Sequence, residues 1–192
     1  CTFNVVVLDN QAPVVTCPAN ITVNNTPGLC SAVATYNVGT TDNCASTVSV
    51  SPASGSVFNV GTTTVSAIAT DLAGNTATCS FTVTVNDNQG PAVTCPSNIT
   101  VNNTPGLCSA VATYNVGTTD NCSSTVSVSP ASGSVFNVGT TTVTATATDL
   151  SGNTATCSFT VTVIDNQGPA VNCPANITVN NTPGLCSAVA TY

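Results

Sequence analysis

The sequence predicts an all-β protein made of antiparallel β-sandwich domains in a linear tandem array. The segment CPANITVNNTPGLCSAVATY begins at Cys17, returns with one change at Cys95 and begins again at Cys173, so the chain repeats every 78 residues. Within each period, apolar residues alternate with Thr and Ser, which is typical of strands with one buried face. Helix signals are absent, so we expect strands throughout.

The last two strands of each repeat are the clearest. In residues 78–85, Cys, Phe and Val alternate with Thr and Ser, and residues 64–70 place Val and Ala on one face in the same way. The LAGN segment at 72–75 predicts the hairpin between them. We therefore expect the Cys, Phe, Val and Ala side chains of these strands to form the core.

Earlier strands are predicted around Val15 to Val23, from Cys30 to Tyr36, and around Thr47 to Ser51. Pro13 and Pro18 mark the first of these as an edge strand. Roughly seven short strands in about 80 to 100 residues are typical of an immunoglobulin-like (Ig-like) sandwich. The fold prediction is therefore a row of Ig-like domains.

The period also predicts the domain organisation. Residues 10–87 and 88–165 form two repeats, residues 1–9 are the last strand of a truncated preceding repeat, and residues 166–192 are the first strands of a truncated following one. We expect the chain to be part of a longer array, with its true N-terminus and any targeting signal elsewhere.

Composition excludes several functions. The chain has no Lys, Arg or His, and its seven Asp residues give a net charge of −7, which argues against nucleic-acid binding. Apolar runs are too short to predict a transmembrane segment. Eleven Cys residues without any His favour disulfides over zinc and indicate an extracellular or cell-surface location. The absence of Lys and Arg also removes every trypsin-type cleavage site.

Several motifs resemble the hyalin repeat, or HYR, domain. They are CP at 17–18, DN at 42–43, GSVFNVGTTTV at 55–65, DLAGN at 71–75 and CSFTVTV at 79–85. This resemblance implies an Ig-like fold of extracellular and cell-surface proteins that is linked to adhesion and often occurs in tandem in large bacterial secreted proteins. It also implies that the equivalents of Cys17 and Cys79 are common in the family. It supplies no ligand-binding residue.

Four cysteines in each repeat allow three disulfide connectivities. The first and last strands of a sandwich are neighbours, which favours Cys17 with Cys79 and leaves Cys30 with Cys44. That second pair is difficult because a straight strand would separate the two residues. Cys30 could instead bond Cys122 of the next repeat, and the array would then be a covalently braced rod. In the second repeat, the corresponding expected pairs are Cys95 with Cys157 and Cys108 with Cys122.

Every acidic residue lies at one of three repeat positions, and in an Ig-like sandwich all three face the preceding domain. Carboxylates that converge without a basic partner repel one another unless a cation binds, and calcium prefers carboxylate, amide and carbonyl oxygens. Alternatively, each Asp is an ordinary turn residue. The candidate calcium ligands are Asp9, Asn10, Asp42, Asn43 and Asp71 at the first junction, Asp87, Asn88, Asp120, Asn121 and Asp149 at the second, and Asp165 after it.

These observations predict a structural protein: a stiff, protease-resistant extracellular stalk or fibre of disulfide-stapled repeats. The alternative is an adhesin whose repeats bind a surface glycan or protein. Catalysis is not expected, because no nucleophile and base are paired by the sequence. Further copies of the same repeat are the expected partners, with lateral assembly and glycan attachment at Asn-X-Ser/Thr sites as additional hypotheses.

Overall fold

The computed structural model describes residues 1–192 and confirms the all-β prediction. It contains two β-sandwich repeats, each built from the same eight strands. Those of the first repeat are β1 (Val14–Thr16), β2 (Ile21–Asn24), β3 (Ser31–Val33), β4 (Gly39–Thr41), β5 (Ser46–Ser51), β6 (Val57–Asn59), β7 (Gly61–Asp71) and β8 (Thr76–Asn86). Those of the second repeat are β9 (Ala92–Thr94), β10 (Ile99–Asn102), β11 (Ser109–Val111), β12 (Gly117–Thr119), β13 (Ser124–Ser129), β14 (Val135–Asn137), β15 (Gly139–Asp149) and β16 (Thr154–Ile164). No helix long and apolar enough to cross a membrane is present.

A four-stranded sheet forms one layer of each repeat, with the order β2-β8-β7-β5 in the first and β10-β16-β15-β13 in the second. Strands β7 and β8 form its long central hairpin, in register from Gly61 opposite Val85 to Thr70 opposite Thr76. Gly74 in the turn has a φ of 92°, which a residue without a Cβ adopts at little cost. The hairpin therefore lies where the LAGN segment predicts it.

The second layer consists of two short strand pairs, β1 with β4 and β3 with β6. Between the layers lies a core that includes Val65, Phe81, Val83 and Val85 from the long hairpin, each at most 4% exposed. Phe58 from β6 completes it from the other side. The period-2 pattern thus identifies the buried face correctly, and the Thr and Ser rows lie on the outer face.

Two strand predictions need correction. The first strand is two strands, because the chain leaves β1 before Cys17 and Pro18 and enters the other sheet as β2. Proline lacks an N–H and restricts the residue before it, so it interrupts pairing at this point. The pairing of β2 with β8 is parallel rather than antiparallel, although β2 is the edge strand that the prolines predict. The second predicted strand is shorter than expected, since β3 covers only Ser31–Val33.

The two ends of the chain contain no strand, in contrast to the strands expected in residues 1–9 and 166–192. In the complete repeats, β8 pairs with β7 and β2 pairs with β8. The 192 residues contain no such pairing partners for either end segment. A strand without a neighbour leaves its backbone groups unpaired, which explains the irregular backbone at both ends.

Candidate functional site at the joints between repeats

Each repeat carries one internal disulfide that staples its core. Cys17 bonds Cys79 with a Cα to Cα distance of 6.0 Å, and Cys95 bonds Cys157 at 5.9 Å. Cys17 and Cys95 both pack against the cores of their repeats. These bonds therefore stabilise the individual sandwiches and do not connect them.

A third disulfide connects the two repeats, and it corrects the expected pairing. Cys30 bonds Cys122, with a Cα to Cα distance of 4.9 Å, so the pairing of Cys30 with Cys44 is wrong and the braced alternative is the one observed. Cys108, expected to bond Cys122, is free, as is Cys44.

Geometry within a repeat explains this correction. Cys30 lies beside Asn86, where β8 ends, whereas Cys44 lies near Asp9 and Asp71, where β7 ends and the hairpin turns back. The eleven residues of β8 separate these two ends by about 35 Å at 3.3 Å per residue. No disulfide can cross that distance, so Cys30 cannot bond Cys44 of its own repeat.

Joint 1 denotes Asp9, Asp42 and Asp71 with the residues around them. The structure brings one carboxylate oxygen of each to within 4.8 Å of the others. Asp9 comes from the segment before β1, Asp42 follows β4, and Asp71 ends β7. The three loops converge because they lie at the same end of the sandwich, as expected from the Ig-like topology.

Joint 2 denotes Asp87, Asp120 and Asp149, which lie between the two repeats. Here Asp87 and Asp120 have oxygens within 4.8 Å of each other and of the Cys122 sulfur. Asp149 is turned into its own hairpin, where it accepts hydrogen bonds from Ser151 N at 2.9 Å and Asn153 N at 2.8 Å. Joint 2 therefore combines two close carboxylates with the disulfide between the repeats.

Both joints contain carboxylate oxygens that have no hydrogen-bond partner although they are shielded from solvent. These atoms are Oδ2 of Asp9 and Asp87 and Oδ1 of Asp42 and Asp120. Asp87 as a whole is only 9% exposed. Buried polar atoms are almost always paired, and the chain has no basic side chain to pair with these. The donor set, hard anionic oxygens, fits calcium.

Local hydrogen bonds shift the pKa values of Asp9 and Cys44 at joint 1. The Gln11 N–H donates to Asp9 at 3.1 Å and, with the Cys44 thiol and the Asn43 amide, holds the pKa of Asp9 below its ordinary value. The hydrogen bond between the Cys44 thiol and Asp9 raises the pKa of Cys44, and burial and the nearby carboxylates raise it further. The thiol therefore stays protonated.

Asp149 at joint 2 also has a pKa below its ordinary value. Burial acts to raise this pKa, but hydrogen bonds from the side chain and backbone of Asn153, and from the Ser151 and Gly152 N–H groups, outweigh it. Asp149 is therefore charged at neutral pH.

The predicted Asn ligands behave differently from one another. Asn121 crosses joint 2, where its amide donates to Leu29 O at 3.2 Å and to Asp87 Oδ1 at 3.4 Å. Asn10, Asn43 and Asn88 are exposed, and of these only Asn43 touches a clustered carboxylate, Asp9. Asp165 is exposed, and its carboxylate accepts a hydrogen bond from Gln167 N.

Sequence reasoning missed a set of amide contacts that we call the linker latch, made by Asn25, Gly28 and Gln89. The Gln89 side-chain oxygen accepts from Gly28 N at 2.8 Å and from the Asn25 amide at 3.2 Å. Asn25 is 6% exposed. Asn25 and Gly28 lie in the NNTPG segment, which is typical of an ordinary turn. The sequence therefore contains no signal for these contacts, and only the burial of Asn25 in the structure distinguishes them.

The linker between β8 and β9 also forms hydrogen bonds with the following repeat. The Asn153 amide donates to Asp87 O at 3.2 Å and to Gln89 O at 3.3 Å. Asn75 makes the equivalent contacts with Asp9 O and Gln11 O at joint 1. The Asn that ends each hairpin thus fixes the segment that enters its repeat.

The family model of the HYR domain matches residues 8–85 and residues 86–163, which together make up most of the chain. The chain belongs to the HYR domain family. The two matches follow each other without a gap, so joint 2 lies between consecutive HYR repeats. A comparison with curated protein sequences finds no match.

Solved structures similar to these HYR repeats include cadherin ectodomains. PcdhgB3 EC1-4 gives a TM-score of 0.37 at 16% identity, over 82% of this chain and 50% of that chain. Protocadherin Gamma B7 extracellular cadherin domains 1-4 gives 0.37 at 16%, over 80% and 50%. The human Desmocollin-1 ectodomain gives 0.29 at 13%, over 87% and 39%. The chain spans half or less of the length of these proteins.

Proposed function

We propose that this chain is a load-bearing part of an extracellular stalk or fibre, in which disulfides between repeats and calcium at the joints stiffen the array. The observation that carries this proposal is the Cys30 to Cys122 bond, which connects two separately folded sandwiches. Together with the linker, it gives the two repeats a second covalent connection. Two connections restrict bending in a way that one linker of a few residues does not.

Calcium supplies the second part of the proposal. Asp87 and Asp120 at joint 2, and Asp9 and Asp42 at joint 1, each have one oxygen without a hydrogen-bond partner, and the carboxylates of each pair approach within 4.8 Å. Two carboxylates at such separations repel each other, and no residue of the chain can neutralise them. A calcium ion would do so and would bind the linker carboxylate to the following repeat.

The disulfides indicate an oxidising environment, and we place the protein outside the cell on that ground. A structural role requires no catalysis, and we propose none. Further HYR repeats are the proposed partners along the chain. Lateral assembly and glycan attachment stay predictions.

Small-angle scattering on four samples tests both parts. The native chain and the Cys30→Ser/Cys122→Ser variant are each measured with calcium and with a chelator. We expect an extended shape with a narrow distance distribution for the native chain under both conditions. For the variant, we expect a narrow distance distribution only with calcium and a broader one after chelation.

The two parts of the proposal can fail separately. A native chain that is as flexible as the chelated variant would refute bracing by the disulfide. A variant whose profile does not respond to calcium would return the aspartates to a turn role. Asp87→Asn/Asp120→Asn in the Cys30→Ser/Cys122→Ser variant is the matched control, because it must abolish the calcium response between the repeats.

A further inference from the structure

We infer that the linker latch aligns Cys30 with Cys122 and thereby selects the disulfide between repeats. Asn25 and Gln89 are positioning residues in this assignment. The inference does not depend on calcium, because the latch contacts are hydrogen bonds between uncharged groups. It concerns how the array is assembled, which the proposed stalk function leaves open.

The latch forms in both repeats, whether or not a disulfide is present. In the second repeat, the Gln167 oxygen accepts from Gly106 N at 2.8 Å and from the Asn103 amide at 3.4 Å. These are the counterparts of the Gln89 contacts, yet the neighbouring Cys108 is free. The latch is therefore a property of one repeat and the segment that follows it, and it does not require the disulfide.

The latch also fixes the loop that carries Cys30. The Asn25 amide that meets Gln89 donates to Leu29 O at 3.0 Å, and Leu29 directly precedes Cys30. Asn25 N is in turn bonded to Asn86 O at 2.8 Å, where β8 ends. One buried residue thus ties together the Cys30 loop and the linker through its side chain and the last strand through its backbone N–H.

The other cysteine reaches the same point from the following repeat. Asn121, directly before Cys122, donates to Leu29 O at 3.2 Å. The Leu29 carbonyl therefore accepts hydrogen bonds from both sides of the joint, one residue from each sulfur. Holding both flanking residues at one atom raises the effective concentration of the two thiols.

The bond is accessible to exchange with small thiols. Cys30 and Cys122 line a solvent-open cleft of about 570 Å³ between the repeats, together with Val85 and Leu150. Formation with glutathione disulfide proceeds in two steps. One protein thiolate attacks glutathione disulfide and releases one glutathione thiolate, and the second protein thiolate then attacks the mixed disulfide and releases another. Two protein thiols are oxidised and one glutathione disulfide is reduced.

The test measures the equilibrium between this dithiol and glutathione in the full chain. Gln89→Ala removes the acceptor for two hydrogen bonds and is expected to lower the effective concentration of Cys30 and Cys122 about tenfold. Gln89→Glu keeps an acceptor oxygen at the same place and should restore most of the value. Gln167→Ala is the matched control, because it opens the equivalent latch away from this disulfide and should change nothing.

Digestion on the N-terminal side of Asp quantifies each bond by mass. Because peptide 9–41 contains both Cys17 and Cys30, the native bonds join peptides 9–41, 71–86 and 120–148 into one species, and loss of 120–148 from it reports loss of the Cys30 to Cys122 bond. The Cys17 to Cys79 bond, which links 9–41 and 71–86, reports whether the first repeat is folded. Equal effective concentrations in Gln89→Ala and the native chain would overturn the inference. So would an equal loss in the Gln167→Ala control.

Discussion

The two joints have almost the same sequence but different surroundings. At joint 1, residues 1–8 before the aspartates contain no strand, and three carboxylates converge within 4.8 Å. At joint 2, the first repeat packs against the second and Asp87 is buried. The Cys122 sulfur there lies within 4.8 Å of the Asp87 and Asp120 carboxylates. Asp149 then accepts a hydrogen bond from Ser151 N, which Asp71 does not receive from Ala73.

This difference separates what one repeat provides from what docking provides. A single repeat with its entry segment brings the carboxylates together, as joint 1 shows. Docking adds the disulfide, the Asn121 contact with Leu29 and the burial of Asp87. The convergence of the carboxylates at joint 1 therefore needs no docked repeat, whereas the additional contacts at joint 2 do.

The largest expected effect tests whether the two repeats differ only at their joints. Cys17→Ala/Cys79→Ala and Cys95→Ala/Cys157→Ala each remove a bond with a sequence separation of 62 residues. Loops of this length predict a loss of about 4 kcal/mol in the unfolding free energy of the affected repeat. Calorimetry of the two variants should show equal losses.

Unequal losses would break the comparison in an informative way. If the second repeat loses clearly less than the first, the bond between repeats must also restrict the unfolded second repeat. The asymmetry of the joints would then extend into the stability of the domains. The native chain in the same buffer provides the reference.

Much of the fold follows from the sequence because its signals are local. Alternation along residues 64–70 and 78–85 fixes the buried face, and the LAGN segment fixes the hairpin. The switch of sheets at Cys17 and Pro18 was not predictable in this way. Pro18 interrupts the pairing of the first strand, but no residue near it predicts that Ile21 pairs in parallel with Val83.

The candidate site was predictable where it depends on topology alone. Loops at one end of a sandwich converge, so the meeting of Asp9, Asp42 and Asp71 follows from the fold. The partner of Cys30 depends on how two repeats dock, which no single repeat encodes. The buried Asn25 belongs to a turn-like segment, and only its three-dimensional contacts distinguish it from an ordinary turn residue.

A second prediction concerns acid. Asp9 and Asp149 have pKa values below the ordinary value of 3.8. A carboxylate with a depressed folded pKa contributes stability that is fully present above the unfolded pKa and is lost as the pH falls through the folded pKa. Below about pH 4, the melting temperature of the first repeat should therefore fall less steeply with decreasing pH in Asp9→Asn than in the native chain. The second repeat should not change.

Asp149→Asn is the complementary variant and should flatten the same dependence for the second repeat only. Asp9 in the segment before β1 and Asp149 in the second hairpin thus each contribute to the acid sensitivity of their own repeat. A first repeat that responds to Asp149→Asn would contradict this assignment. Calorimetry between pH 2 and pH 6 resolves the two transitions.

The smallest expected effect concerns the hairpin leucines, which test how closely the repeats pack. Leu72 at joint 1 and Leu150 at joint 2 are both 84% exposed, so the contact with the first repeat does not cover Leu150. Leu150→Ser should therefore match Leu72→Ser and change the unfolding free energy by less than about 0.5 kcal/mol. Leu150 borders the cleft beside the disulfide. If Leu150→Ser alone broadens the scattering profile, the cleft must be closed in solution, and apolar contact would join the disulfide and the linker latch in holding joint 2.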